Sequence, residues 1–361
     1  MSTHLDSTLA PALFTTTLSP AREERRFQGI PGIERSPGGL LWASWYAGGP
    51  DQPGEGPGNF VVLSTSADDG ATWKEALIIH PPSPQMRVFD QCLWLDPQGR
   101  LWLFWAQSYD CHDGRHGVWC AIADHPDDPA TGWSTPRRIC DGVMMNKPIV
   151  LSSGCWLLPV SVWRLGKRLY DLSAISGPGV VASSDQGETW NLLGRTYPEN
   201  PSFDEHMVVE RKDGSLWMLI RTRHGIAESV STNQGHLWSP ARPSGIPHID
   251  ARFFLRRLAS GRLLLVTHHI PAGYVAQTKA GRSHLTAWLS EDDGTTWLGG
   301  LLLDEREEIS YPDGTEEPDG RLRIIYDRDR PRGGEILMAV ITEAEILARE
   351  VTTGILRHRI S

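Results

Sequence analysis

The sequence has neither an excess of positive charge nor a long apolar run. Its 361 residues include 35 Lys and Arg against 44 Asp and Glu, which gives a formal net charge of −9. Proteins that bind nucleic acid or anionic membranes present a basic surface, so this balance argues against both partners. No run of about 20 apolar residues occurs, and the N-terminal segment has no apolar stretch as long as that of a signal peptide. We therefore expect a cytoplasmic protein.

Cysteine is also scarce, and nothing in the sequence resembles a cofactor motif. The five cysteines are odd in number and lack the spacing of zinc ligands, which is typical of inert thiols in a reducing compartment. His268 and His269 are adjacent, and adjacent strand residues point to opposite faces, so this pair is a poor metal site. No nucleotide, haem or flavin motif occurs. The sequence predicts a protein without cofactor or metal and leaves the oligomeric state open.

What the sequence does contain is a repeated turn. Its 15 Trp and 36 Gly accompany short apolar stretches that end in turn residues, which is typical of an all-β domain with little helix. In the phrase Ser-x-Asp-x-Gly-x-Thr-Trp, the Asp accepts hydrogen bonds from amides of its own turn and the Gly supplies a positive φ. The Trp packs the turn on a neighbouring hairpin. The copies are Ser66–Trp73, Ser183–Trp190, Ser290–Trp297 and, in decayed form, Ser231–Trp238.

A second pattern, an apolar strand followed by a polar turn with Gly and another apolar strand, occurs six times. These hairpins start 46 to 61 residues apart, a length that holds four short strands. We therefore predict one domain, residues 1–361, folded as an all-β, six-bladed β-propeller. Residues 12–17 are expected to supply the outer strand of the last blade, and the residues after Thr342 a short amphipathic helix. The hairpins begin at Gly29, Asp90, Asn146, Glu205, Ala251 and Tyr311.

The first strand of each blade lines the central channel of a propeller, and ligands bind at the mouth, the end of the channel where these strands begin. Superposing the six hairpins predicts which side chains meet there. Most of them are polar or charged, whereas a purely structural channel would be lined by apolar or small residues. The mouth is therefore the candidate site. Its predicted residues are Gln28, Gly29, Asp90, Gln91, Asn146, Lys147, Glu205, His206, Asp250, Arg252, Tyr311 and Asp313.

These residues resemble those of the sialidase superfamily, whose propellers carry the same turn phrase, the Asp-box. Sialidases have a Glu followed sixteen residues later by an Arg within one hairpin, and Glu205 with Arg221 fits that pattern. Arg282 precedes the strand of the last box, where the family has another substrate-binding Arg. Tyr311 opens the final hairpin, as the nucleophilic Tyr of the family does. The resemblance covers nearly the whole chain.

The resemblance implies an exo-acting, retaining glycoside hydrolase that cleaves a terminal acidic sugar. Tyr311, deprotonated toward Glu205, would attack the anomeric carbon, while Arg221 and Arg282 would bind the substrate. A Tyr nucleophile suits a sugar whose own carboxylate would repel a carboxylate nucleophile. The further substrate-binding candidates are Arg252, Lys147, Asp90, His206 and Asp313.

Two parts of the predicted site concern the first blade. The family's acid/base Asp lies on the loop before the first box, where this chain offers Glu55 and, second, Asp51.

The family also carries Arg-Ile-Pro at the first inner strand, and that Arg binds the substrate carboxylate, but residues 29–31 read Gly-Ile-Pro. We expect weak binding of sialic acid unless Lys147 or Arg252 substitutes. A sialic acid analogue, another ulosonic acid or a uronate remains as the acidic sugar.

Two other functions would use the same residues. A polysaccharide lyase acting on uronates needs a cation, a base and an acid, which Arg221, His206, His224 and Tyr311 can provide. Its unsaturated product absorbs near the ultraviolet edge, whereas a hydrolase product does not. In a non-catalytic carbohydrate-binding propeller, Tyr311 and Glu205 would lie too far apart for a hydrogen bond.

Overall fold

Six antiparallel sheets follow one another along the part of the chain that the structure describes. The computed structural model describes residues 10–111, 116–164, 172–278, 281–332, 334–351 and 356–361. Each sheet is built from strands that are consecutive in the sequence, apart from one N-terminal addition, which is the arrangement of propeller blades. The predicted six-bladed β-propeller with a short C-terminal helix is confirmed.

The first three blades contain the strands up to Arg195. Blade 1 has β1 Leu13–Thr15, β2 Phe27–Arg35, β3 Leu41–Gly48, β4 Phe60–Ser66 and β5 Lys74–His80. Blade 2 has β6 Met86–Leu95, β7 Leu101–Tyr109, β8 His116–Ala123 and β9 Arg137–Asp141. Blade 3 has β10 Ile149–Val150, β11 Trp156–Val162, β12 Gly177–Ser183 and β13 Asn191–Arg195. Short 3₁₀ helices lie at Arg22–Glu24 and Ser173–Ile175.

The last three blades contain the strands from Pro201 onward. Blade 4 has β14 Pro201–Glu210, β15 Leu216–Thr222, β16 Gly225–Ser231 and β17 Arg242–Pro243. Blade 5 has β18 Phe254–Arg257, β19 Leu263–His268, β20 Leu285–Ser290 and β21 Leu298–Asp304. Blade 6 has β22 Ile309–Glu316, β23 Arg321–Arg328, β24 Glu335–Thr342 and β25 Leu356–Arg359.

The N-terminal strand belongs to the first blade, so the prediction that residues 12–17 complete the last blade is wrong. β1 pairs with β5, with Leu13 opposite His80. The outer edge of β24 is already occupied by β25, since Leu337 pairs with Arg359. An unpaired strand edge exposes backbone donors and acceptors, and the N-terminal segment covers the outer edge of β5. Blade 1 consequently has five strands.

Side chains of blade 6 hold blade 1 and close the ring. Asp327 accepts a hydrogen bond from the backbone N–H of Ile30 at 2.7 Å. Asp313 accepts one from the N–H of Ile33 at 3.0 Å. The inner strand of blade 1 therefore satisfies part of its backbone with carboxylates from the last blade.

The Asp-box turns have the predicted hydrogen bonds and pack on the preceding blade. In the first box, Asp68 Oδ1 accepts from Ser66 Oγ and from the N–H of Thr72, both at 2.8 Å. These hydrogen bonds, led by those from Thr72, lower the pKa of Asp68 to about 2. In blade 3, a Cβ on Gly187 would lie 2.4 Å from the ring of Trp102 in blade 2. The box glycine thus serves both the turn, with φ of 87°, and the contact between blades.

A short helix, α1 Glu343–Ala348, follows the last long strand. Its N-terminus is a capping box, in which Glu345 N–H donates to Thr342 Oγ1 at 3.3 Å and Thr342 N–H donates to Glu345 Oε2 at 2.8 Å. Ile346 is buried against the propeller. Within the described ranges, no helix has the length and apolar character needed to cross a membrane.

Four inner strands carry a bulge near their first residues. The pairing of β2, β6, β14 and β22 with the next strand shifts register at this level. Non-glycine residues adopt a left-handed backbone there, with φ of 58° at Ile30, 49° at Asp90, 49° at Asp204 and 54° at Tyr311. Such bulges re-aim side chains and are enriched beside active sites. Equivalent bulges on different blades therefore shape the mouth of the channel.

Candidate active site

A phenol, a carboxylate and a guanidinium from two blades meet at the mouth. Tyr311 Oη, on β22, donates a hydrogen bond to Glu205 Oε1, on β14, at 2.8 Å. Arg221, on the neighbouring β15, donates from Nη1 to Glu205 Oε2 at 2.7 Å and to Tyr311 Oη at 3.1 Å. All three residues are at most 5% exposed. The structure thus brings together residues that lie as many as 106 positions apart in the sequence.

The surroundings of Tyr311 keep its hydroxyl protonated. Burial raises the pKa of the phenol, and the negative charge of Glu205 raises it further, while the three arginines Arg221, Arg282 and Arg330 oppose this shift. Burial disfavours the charge of Arg221, but Glu205, Tyr311 and Asp250 more than compensate and raise its pKa. The cluster therefore holds a neutral hydroxyl whose proton already points to a carboxylate.

Two more guanidinium groups flank the Tyr311 ring. The Cζ atom of Arg282 lies 5.4 Å from the ring centroid, and that of Arg330 lies 4.7 Å from it. Arg282 donates to the backbone oxygen of Asp250 at 3.2 Å. The sequence pattern indicated Arg282 but not Arg330, which follows β23 in a charged turn with no box or hairpin pattern. The one hint in the sequence was Gly29 itself. A glycine where the resembled family has an arginine leaves room for a cationic side chain from elsewhere in the chain.

The two acid/base candidates on the loop of blade 1 occupy different places. Glu55 Oε1 accepts a hydrogen bond from Arg330 Nη1 at 3.0 Å. The Glu55 side chain is 43% exposed, and its partial desolvation raises its pKa, but the positive charges of Arg330 and then Arg87 outweigh desolvation, so the pKa is lowered and the carboxylate is ionised. Asp51 lies exposed at a turn of the same loop. Glu55 is therefore the candidate that reaches the mouth.

Asp90 occupies the bulge of blade 2 and differs from Glu55 in protonation. The residue is 3% exposed. Burial raises its pKa well above the ordinary value, and the negative charges of Glu55 and Glu205 add to the shift, against Arg87 and Arg252. Asp90 therefore keeps its proton at a pH where Glu55 has lost its own.

Three predicted substrate-binding residues form instead a buried network further along the inner strands. Lys147 Nζ donates to the backbone oxygens of Ile33 and Leu93, both at 2.6 Å, and to Glu34 Oε2 at 3.0 Å. It also lies 3.4 Å from Asp313 Oδ2. We call Lys147, Glu34, Asp313 and Arg252 the channel network.

Arg252 completes this network with contacts inside the protein. Its Nε donates to Asn146 Oδ1 at 2.6 Å and its Nη2 to the backbone oxygen of Met145 at 3.2 Å. Arg252 Nη2 lies 3.7 Å from Asp313 Oδ1, and the side chain is 1% exposed. The donors of Lys147 and Arg252 are thus engaged by internal acceptors, so neither stands in for the arginine that the family has at residue 29.

The histidine candidates are also engaged or lie away from the cluster. His206 contacts the backbone oxygens of Asp204 and Gly179 through Nδ1 and Nε2, both at 2.7 Å. His224 lies in the exposed turn between β15 and β16. His206 therefore fixes the backbone of blades 3 and 4.

The chain matches one family model over most of its length. The family model described as the BNR repeat-like domain matches residues 39–324. A comparison with curated proteins finds no match.

Solved structures with this fold include sialidases. Hadza microbial sialidase Hz136 has a TM-score of 0.68 and 19% identity, over 89% of this chain and 67% of that chain. The intramolecular trans-sialidase from Ruminococcus gnavus has a TM-score of 0.65 and 14% identity, over 92% of this chain and 98% of that one. A Dyadobacter fermentans protein of unknown function has a TM-score of 0.65 and 16% identity, over 92% and 97%. The chain belongs to the BNR repeat-like domain family and has the sialidase-like propeller fold.

Proposed function

We propose that the protein is a retaining glycoside hydrolase that cleaves a terminal acidic sugar with Tyr311 as nucleophile. The observation that carries this proposal is the hydrogen bond of 2.8 Å from Tyr311 Oη to Glu205 Oε1, reinforced by Arg221. A nucleophile hydrogen-bonded to its base, with the base held by a third group, is the arrangement that activates weak nucleophiles. The short distance also argues against a merely carbohydrate-binding propeller.

In the first step, the Tyr311 proton moves to Glu205 as Oη forms a bond to the anomeric carbon. The glycosidic C–O bond breaks, and the leaving oxygen takes a proton from a carboxylic acid of the mouth. Water then attacks the anomeric carbon of the Tyr-bound sugar, gives its proton to that carboxylate, and Tyr311 regains its proton from Glu205. Arg221 stabilises the developing phenolate because its Nη1 lies 3.1 Å from Oη.

The acidic nature of the sugar rests on the charges around Tyr311. Three guanidinium groups, from Arg221, Arg282 and Arg330, surround one phenol. A carboxylate beside the anomeric carbon would be attracted by this set, and it would repel a carboxylate nucleophile but not a neutral phenol. The names of structural neighbours, which include sialidases and an intramolecular trans-sialidase, support the same substrate class.

Two carboxyl groups compete for the role of proton donor. Glu55 has the loop position of the family's acid but is ionised beside Arg330, so it must gain a proton after the substrate binds. Burial raises the pKa of Asp90 well above its ordinary value, which favours the protonated form that a donor needs. The pH dependence of kcat/KM distinguishes them, because activity falls as pH rises through the pKa of the donor. Glu55→Gln or Asp90→Asn should abolish that alkaline fall, and the variant that does so identifies the donor.

Hydrolysis of fluorogenic glycosides tests the function. The substrates are 4-methylumbelliferyl glycosides of N-acetylneuraminic acid, another ulosonic acid, glucuronic acid and two neutral sugars. We expect cleavage of at least one acidic glycoside and a loss of 10³-fold or more in kcat for Tyr311→Phe, about the scale of losing a catalytic group. Tyr197→Phe is the matched control, because Tyr197 is 51% exposed.

Failure to cleave any acidic glycoside, or full activity in Tyr311→Phe, would contradict the proposal. The lyase alternative is read in the same assay with a uronate polysaccharide, since only elimination produces a chromophore near the ultraviolet edge. Its two predicted histidine bases are poorly placed, because both nitrogens of His206 contact backbone oxygens and His224 lies in an exposed turn. Tyr311 is then the base that this alternative retains.

A further inference from the structure

The side chain of Arg330 crosses the space above Gly29. A Cβ on Gly29 would lie 2.2 Å from Cδ and 2.4 Å from Cγ of Arg330, closer than real Cβ contacts allow. The backbone of Gly29 is not in the left-handed region, so conformation does not require glycine here. What the position requires is the absence of a side chain, because the stem of an arginine from another blade fills that space.

Contacts on both sides fix this crossing. Gln28 N–H donates to the backbone oxygen of Arg330 at 3.2 Å. Asp327 Oδ2 lies 3.8 Å from Arg330 Nε while it accepts from the N–H of Ile30 at 2.7 Å. The guanidinium then ends over the Tyr311 ring, 4.7 Å from its centroid. Gly29 of blade 1 thus leaves the space for the side chain, and Arg330 of blade 6 places its guanidinium there.

Arg330 differs from Arg221 in what engages its guanidinium. Arg221 is bound to Glu205 and Asp250. Arg330 contacts Glu55, whose side chain is 43% exposed, at 3.0 Å. Glu55 lies between Gly54 and Gly56 on a loop, which makes it a displaceable partner. A carboxylate is therefore already bound to Arg330 in the free protein, in a position open to exchange with solvent.

We propose that Arg330 selects a ligand bearing a carboxylate. Gly29 has no side chain, and this allows the Arg330 side chain to reach the mouth. Glu55 pairs with the Arg330 guanidinium in the free protein, and the ligand's carboxylate replaces it on binding. The proposal rests on the proposed function in that the ligand is taken to be an acidic sugar. It assigns to blade 6 a cation that the sialidases, which this chain resembles, carry in blade 1. A charge-assisted fork between guanidinium and carboxylate discriminates strongly against an uncharged ester.

The test compares the binding of sugar acids with that of their methyl esters by calorimetric titration. The probes are N-acetylneuraminic acid, 3-deoxyoctulosonic acid and glucuronic acid, each with its ester, and binding is measured in Tyr311→Phe so that turnover does not intervene. We expect at least one acid to bind about 10- to 100-fold more tightly than its ester, the range of a hydrogen bond to a charged group. Arg330→Gln in the same background should reduce this preference by about tenfold or more.

Two further variants separate the roles of space and charge. Gly29→Ala leaves Arg330 in the chain but forces its side chain aside, so the acid preference should fall as in Arg330→Gln. Gly132→Ala is the matched control, because its Cβ would meet nothing within 4 Å. The exchange Gly29→Arg with Arg330→Gly returns a guanidinium to the mouth from blade 1 and should restore the preference.

Three results would overturn the assignment: no acid preferred over its ester in the starting chain, a preference that is undiminished in Arg330→Gln or Gly29→Ala, or an exchange variant that folds without regaining it. If Arg330→Gln does not fold, Gly29→Ala and the exchange variant decide. The proposed hydrolase fails on a different result, the absence of glycoside cleavage, which the binding measurements do not involve.

Discussion

Replacing Lys147 with Met should destabilise the fold rather than weaken ligand binding. The ammonium group is enclosed by two backbone oxygens at 2.6 Å, by Glu34 at 3.0 Å and by Asp313 at 3.4 Å. Burial disfavours its charge, but Asp313 and Glu34 outweigh burial and raise its pKa, so the network is charged at neutral pH. Removing one partner of a buried ion pair leaves the other uncompensated, which costs about 3 to 5 kcal/mol.

Equilibrium unfolding in urea measures this loss. Lys147→Met should lower the free energy of unfolding by about 3 to 5 kcal/mol. Lys74→Met, at an exposed position of β5, is the control and should change it by less than about 0.5 kcal/mol. Adding Glu34→Gln should recover part of the loss, because the remaining carboxylate of Asp313 is then balanced by Arg252, 3.7 Å away. A loss below about 1 kcal/mol in Lys147→Met would refute the structural role of the channel network.

The box turns give two further predictions, both read by thermal or urea unfolding. Gly187→Ala should cost about 1 to 3 kcal/mol more than Gly154→Ala, because both glycines have positive φ but only at Gly187 would the new Cβ meet a ring, that of Trp102 at 2.4 Å. Equal losses would show that the contact between blades is unimportant. Asp185→Asn should keep most of the stability that Asp185→Ala loses, since Asn233 makes the same turn in the fourth copy, accepting from Leu237 N–H at 2.9 Å. Equal destabilisation by both changes would contradict this account of the turn.

The sequence predicted the fold because its strongest signals are local. Each Asp-box turn is specified by its own eight residues, and the spacing of the hairpins sets the number of blades. The pairing of Tyr311 with Glu205 followed from the hairpin positions together with the family resemblance. The turn phrase and the hairpin pattern are short in sequence and repeated, so recognising them does not require knowing how distant segments pack.

The differences between the sequence-based expectations and the structure concern contacts between distant segments. The N-terminal residues pair with β5, and β25 occupies the outer edge of β24. In the sequence, β1 and β25 are both short segments, and nothing in either one indicates which strand it pairs with. Lys147 and Arg252 were taken as ligand-binding because they are charged and near the mouth, but whether a buried cation faces a ligand or an internal carboxylate is decided by packing. Arg330 was missed because its place above Gly29 arises from the closure of the ring.

The most direct test of the central claim is the mass of a trapped intermediate. A fluorine beside the anomeric carbon slows both steps, and a good leaving group restores the first, so the covalent species accumulates. With such an analogue of whichever acidic sugar is cleaved, peptide mass spectrometry should find the sugar attached to the peptide containing Tyr311, and Tyr311→Phe should carry none. A sugar attached to Glu205, Asp90 or Glu55 instead, or no attachment during active turnover, would contradict the account.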